Sequence, residues 1–120
     1  MDMIKEKESD IQKTVLEWLS YNEIFAIRLN NIPVPTKNGG FRPVAVKGLP
    51  DAHLELRVSG VPVSVWIEFK TKKGKQSQNQ IIFQKKVEDY GGFYYIVRSI
   101  EDIQKVLHKA EYTVLARIGA

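Results

Sequence analysis

The stretch from Ala52 to Lys70 constrains this chain more than any other. Leu54, Leu56 and Val58 fall on one side of a period-two pattern, and His53, Glu55 and Arg57 on the other. That alternation predicts a half-buried strand. Ser59-Gly60 is a turn signal. Val61 to Lys70 then alternates again, with Val63, Val65, Ile67 and Phe69 on one face and Ser64, Trp66, Glu68 and Lys70 on the other. Two such runs joined by two residues predict a β-hairpin. Its apolar face has to be covered, so the flanking sequence must supply further strands and helices.

The flanks read accordingly. From about Ile4 to Tyr21 the pattern is helical, with Ile11, Val15, Trp18 and Leu19 at helical spacing. Glu23 to Leu29 predicts a strand, followed by a loop rich in Asn, Pro and Gly, and Phe41 to Val46 a short strand. Ser77 to Tyr90 predicts a helix with Phe83, Val87 and Tyr90 on one stripe, ended by Gly91-Gly92. Phe93 to Arg98 predicts an apolar strand, and Ser99 opens a last helix with Ile100, Ile103 and Leu107 inward. The tail from Tyr112 to Ile118 is expected as an extra strand, at an edge or a dimer contact. The expectation is one α/β domain over residues 1–120, a mixed central sheet flanked by helices in the order αβββαβ.

Composition narrows the chemistry. The chain has no cysteine and only two histidines, His53 and His108. Disulfides and thiolate zinc sites are excluded, and any metal must be held mainly by oxygen, which points to magnesium or manganese. No apolar run reaches the roughly 20 residues of a membrane span. The charged start, MDMIKEKESD, is not a secretory signal. A reducing, cytosolic setting is therefore expected, not secretion. The net charge of +4 is mild, but Lys70, Lys72, Lys73 and Lys75 fall within six positions with no acid among them. Such a cluster reads either as a solvated loop or as a phosphate contact.

The hairpin carries the candidate chemistry. Glu68 and Lys70 share a face, about 7 Å apart along the strand. Asp51 opens the partner strand seventeen residues before Glu68, a span that suits strands ending at one edge. Pro50, which has no backbone donor, suits a strand start. Two carboxylates at one edge repel unless something positive lies between them. A divalent cation there would polarise a phosphoryl oxygen and acidify a bound water. A neighbouring lysine would orient that water or steady the growing charge. The bland alternatives are an exposed Glu68–Lys70 ion pair of little worth and an Asp51 that only caps a turn. His53 lies two residues after Asp51 on the same side, and reads as a polar strand residue rather than a general base. Trp66 reads as packed beneath the first helix.

These residues, with their neighbours, also resemble a family. Gly48-Leu49-Pro50-Asp51, Trp66-Ile67-Glu68-Phe69-Lys70, Gly74-Lys75-x-Ser77-x-x-Gln80, Gly91-Gly92-Phe93-Tyr94 and Val97-Arg98-Ser99-Ile100-Glu101-Asp102 look like the VRR-NUC domain, a branch of the PD-(D/E)xK nuclease superfamily, with a departure at Ser99. The resemblance runs from Glu8 to Leu107. It implies a restriction-endonuclease-like fold and a metal held by Asp51, Glu68 and the backbone carbonyl of Phe69, with Lys70 as catalytic lysine. It also implies a carboxylate on the first helix followed four residues later by Gln, which Glu8 and Gln12 fit. Ser9-x-x-Gln12 also reads as a capping box that would leave Glu8 outside the helix, with Glu6 as the alternative carboxylate. Gln80 reads equally as the end of a Ser77-x-x-Gln80 capping box and as a site contact. Lys72, Lys73, Lys75, Ser77, Gln80, Gln12, Arg28 and Asn30 are the expected nucleic-acid contacts, and Lys37 and Arg42 could extend that surface. The implied protein is a stand-alone phage or viral nuclease, working in the cytoplasm of a bacterial host. Its implied form is a homodimer that hydrolyses branched DNA such as Holliday junctions. Action on flaps or single-strand ends, or nicking of ordinary duplex, is the alternative activity, and a non-catalytic DNA-binding module is the alternative role.

Overall fold

The computed structural model describes residues 6–29, 34–42 and 46–119. The elements are α1 (Glu8–Tyr21), β1 (Phe25–Arg28), β2 (Val34–Pro35), β3 (Phe41–Arg42), β4 (Ala52–Val58), β5 (Val61–Phe69), α2 (Gln78–Asp89), β6 (Phe93–Val97) and α3 (Ile100–Arg117). The fold is α/β, with a mixed four-stranded sheet in the order β1-β4-β5-β6. β1, β4 and β5 run antiparallel in turn, and β6 lies parallel to β5. β2 and β3 pair as a separate small hairpin inserted between β1 and β4. Among the described residues no helix is long and apolar enough to cross a membrane.

Each element follows from local chemistry. Ser59 and Gly60 both take positive φ, +49° and +79°, so the β4–β5 connection has the twist that right-handed strands need. Ser77 and Ser99 cap α2 and α3 by accepting from the N–H groups of Gln80 and Asp102. A parallel partner for β5 requires a crossover, which α2 provides. The odd-numbered side chains of β5 (Val63, Val65, Ile67, Phe69) meet Ile11, Val15 and Leu19 of α1 and Ile103, Val106, Ala110 and Val114 of α3 in one core. The other face lies under α2, where Phe83 packs edge-on against Trp66 and beside Tyr94.

The structure alters several expectations. Residues 112–117 are the end of α3, not a strand. Val114 continues the buried 3.6-residue stripe of Ile103, Val106 and Ala110, and that period outweighs the tail's apolar content. α1 begins at Glu8, because Lys7 is the N-cap and its backbone N–H is satisfied by Asp10 Oδ2 at 3.2 Å. The box that opens α1 therefore runs from Lys7 to Asp10, not from Ser9 to Gln12, and Glu8 lies inside the first turn. Of the strand expected from Phe41 to Val46, Phe41–Arg42 is a strand, and residues 43–45 lie outside the described residues. Tyr90, expected on the inner stripe of α2, is 93% exposed just past the last turn. Trp66 lies beneath α2 rather than α1, between Phe83 and the His53 ring. Residues 1–5, which include Ile4 and Lys5 at the start of the expected first helix, and Asn30 lie outside the described residues.

Candidate active site

β4 and β5 part company at one edge of the sheet. Ala52 and Ile67 form the last pair of their ladder, and one residue beyond it stand Asp51 and Glu68. Asp51 is pinned by its own backbone: its N–H donates to the Ile67 carbonyl (3.0 Å) and its carbonyl accepts from Leu29 N–H (2.8 Å). Its Oδ2 accepts from Phe69 N–H at 2.8 Å, so the side chain takes a donor that the departing strand no longer serves.

Glu68 is 2% exposed and Lys70 8%, the two buried charged side chains among the described residues. Lys70 Nζ lies 4.0 Å from Glu68 Oε1 and 3.8 Å from Glu8 Oε1. Glu8, Asp51 and Glu68 each offer a carboxylate oxygen within 4.8 Å of the others. The first turn of α1 and the ends of β4 and β5 thus bring three acids and one lysine to one point. Gln12, one turn further along α1, is half-buried. No hydrogen bond ties it to these acids among the described residues.

The surroundings fix Glu68. Gln80 Nε2 donates to Glu68 Oε1 at 2.8 Å, while Gln80 Oε1 accepts from Ser77 N–H at 2.8 Å. The two readings of Gln80 therefore hold together: its amide closes the cap of α2 and reaches the carboxylate. Tyr94 Oη donates to Glu68 Oε2 at 3.3 Å and accepts from Gln76 Nε2, which also bonds Gln84. Tyr94 and Gln76 are site residues beyond those expected from the sequence. A hydroxyl inside an apolar strand was the available signal, since a buried tyrosine needs a partner. Burial, and next the Asp51 carboxylate, push the Glu68 carboxyl up to about 8, against the opposing pull of Lys70. Burial and the adjacent Glu68 likewise raise the Tyr94 hydroxyl above its ordinary range.

Gly48 brings α2 to this edge. Its φ is +75°, and a Cβ there would sit 2.2 Å from the Asn79 carbonyl oxygen. The Gly48-Leu49-Pro50 approach thus lies against the first turn of α2, one residue from Gln80. On the other side, Arg98 Nη1 donates to the carbonyls of Thr71, Gly74 (2.9 Å) and Lys72 (3.4 Å). That guanidinium holds the loop after β5, whose Lys72, Lys73 and Lys75 are all exposed. Arg28 is exposed at the end of β1, opposite Ala52. Ser77 serves as the α2 cap. His53 packs on Trp66 and lies 3.6 Å from Glu55 rather than in the acid cluster.

The donor set suits a hard cation. Its donors are carboxylate oxygens, and burial, then the nearby Asp51 carboxylate, favours the neutral form of Glu68 while no cation is there. No protein-family model, curated protein or solved structure matches the chain.

Proposed function

We propose that this protein is a metal-dependent DNA endonuclease with a site of the PD-(D/E)xK kind, of VRR-NUC type. The observation that carries the reading is the meeting of Glu8, Asp51, buried Glu68 and Lys70 Nζ at one sheet edge. Asp51 and Glu68, with the Phe69 backbone carbonyl, would hold magnesium or manganese, and Glu8 would complete the set or position water. When bound, the cation would polarise a phosphoryl oxygen and acidify a water. Lys70 holds its ammonium where it can orient that water and offset charge growing on the phosphate. Water forms the new P–O bond as the bridging P–O bond breaks. Gln80 and Tyr94 hold the Glu68 carboxylate in place, and the lysines at 72, 73 and 75 meet substrate phosphates. Branched DNA cut by a homodimer is the substrate and assembly the sequence resemblance favours, since a two-fold pair of sites can cut two strands symmetrically.

The test uses labelled four-way junction, flap, single-stranded and linear duplex DNA with magnesium, manganese or EDTA, beside Lys70→Ala. Metal-dependent, paired cuts near the junction that vanish in the variant are expected. Cleavage of another structure replaces the substrate and keeps the site. No metal-dependent cleavage of any of them overturns the reading.

A further inference from the structure

The charges of this chain are segregated. Residues 24–50 contain Arg28, Lys37, Arg42 and Lys47 and no Asp or Glu. Residues 69–87 contain Lys70, Lys72, Lys73, Lys75, Lys85 and Lys86, again with no acid. Those ten cations belong to a chain of net charge only +4, so everything outside the two segments is acidic on balance. The sheet order decides where they lie. The first segment leaves the sheet at the end of β1 and returns at Asp51, so the β2–β3 hairpin springs from the β1/β4 side of the site. The second leaves at the end of β5 and is drawn by Arg98 towards β6, on the other side. The acid cluster lies between them, where β4 meets β5.

We infer that the two segments form a two-sided grip on DNA, with the phosphate backbone crossing the sheet edge from the lysine loop to the inserted hairpin. The inference rests on DNA being the substrate. Three strand spacings separate β1 from β6, about 14 Å, or about four steps of a duplex at 3.4 Å each. Both flanks therefore reach phosphates on either side of the one being cut. On the hairpin side, Arg28 stands exposed at the end of β1. Lys37 is exposed in the turn of the hairpin, which Thr36 N–H closes on the Gly40 carbonyl at 2.8 Å. On the loop side stand Lys72 and Lys75. Acids at either flank would repel the strand; neither segment has one.

The experiment is fluorescence-anisotropy binding of labelled duplex and four-way junction in EDTA, titrated from about 50 to 200 mM salt, with cleavage in magnesium run alongside. Three variants are compared with the parent: Arg28→Ala/Lys37→Ala, Lys72→Ala/Lys75→Ala, and Arg57→Ala. Arg57 is exposed beside the β4–β5 turn, at the opposite end of the sheet. Each double variant should reduce the log–log salt slope by about 1.8, since each phosphate contact contributes about 0.9. Arg57→Ala should leave the slope unchanged. If Arg28→Ala/Lys37→Ala behaves like Arg57→Ala while the loop variant loses slope, the contact is one-sided and the inference is overturned. A parent that binds with the expected slopes but never cuts sinks the nuclease reading and leaves the grip standing. A parent that does not bind DNA at low salt overturns both.

Discussion

Replacing Glu68 by glutamine should stabilise the metal-free protein while ending its activity. The carboxyl stands at about 8 in the fold against an ordinary 4.5. Between those values the native state holds a proton that the unfolded chain has released, so stability must fall as pH rises. At about 1.4 kcal/mol per pH unit, the loss accumulates to at most about 5 kcal/mol by pH 8 and then levels. Total stabilities of 5–15 kcal/mol are usual, so this would be a large fraction. Glu68→Gln has nothing to titrate and keeps an oxygen for the Gln80 amide. Urea unfolding in EDTA, from pH 5 to 9, should show the parent losing stability across that window and the variant holding level. At pH 9 the variant should be the more stable by about 2–5 kcal/mol. Saturating manganese should reverse the trend in the parent, because the metal binds the ionised carboxylate, and should do nothing to the variant. If parent and variant unfold in parallel at every pH, the burial and repulsion assigned to Glu68 are wrong.

Lys70→Ala should cut cleavage by about 10²-fold or more while manganese binding, followed by titration calorimetry, is largely retained; equal loss of both would make Lys70 a structural ion pair. Tyr94→Phe removes the hydroxyl that reaches Glu68 Oε2, and should weaken manganese binding about 10–100-fold with the fold intact by circular dichroism. Gly48→Ala meets both a positive φ and the Asn79 backbone, and should cost about 2–4 kcal/mol. Gly60→Ala, at φ +79° with open space around it, should cost only about 1 kcal/mol. Thermal unfolding of the two side by side decides whether close approach or conformation dominates.

The β4–β5 hairpin was legible because period-two alternation and a two-residue turn leave few other ways to bury Val63, Val65, Ile67 and Phe69. The same alternation put Glu68 and Lys70 on one face, and the turn length put Asp51 at their edge. Serine caps were equally readable at Ser77 and Ser99, since a cap is a local event. What stayed hidden depends on long-range pairing. Tyr94 reaches Glu68 only because β6 lies parallel to β5 with Trp66 opposite Tyr94, a register no local pattern encodes. Trp66 packs under α2 rather than α1 because which face a crossover covers is set by the whole sheet. The tail is helical although its short apolar run has no period of its own, because Val114 continues the buried stripe of α3. At the start of α1, two overlapping caps competed, and Asp10 took the Lys7 N–H.

The most direct measurement is diffraction from crystals soaked in manganese, recorded for its anomalous signal. One strong peak is expected among Glu8, Asp51 and Glu68, with oxygen ligands from Asp51, Glu68 and the Phe69 carbonyl, absent in Asp51→Ala. A manganese-soaked crystal with no peak there, and with Glu68 still bonded only to Gln80 and Tyr94, would contradict the proposed metal site.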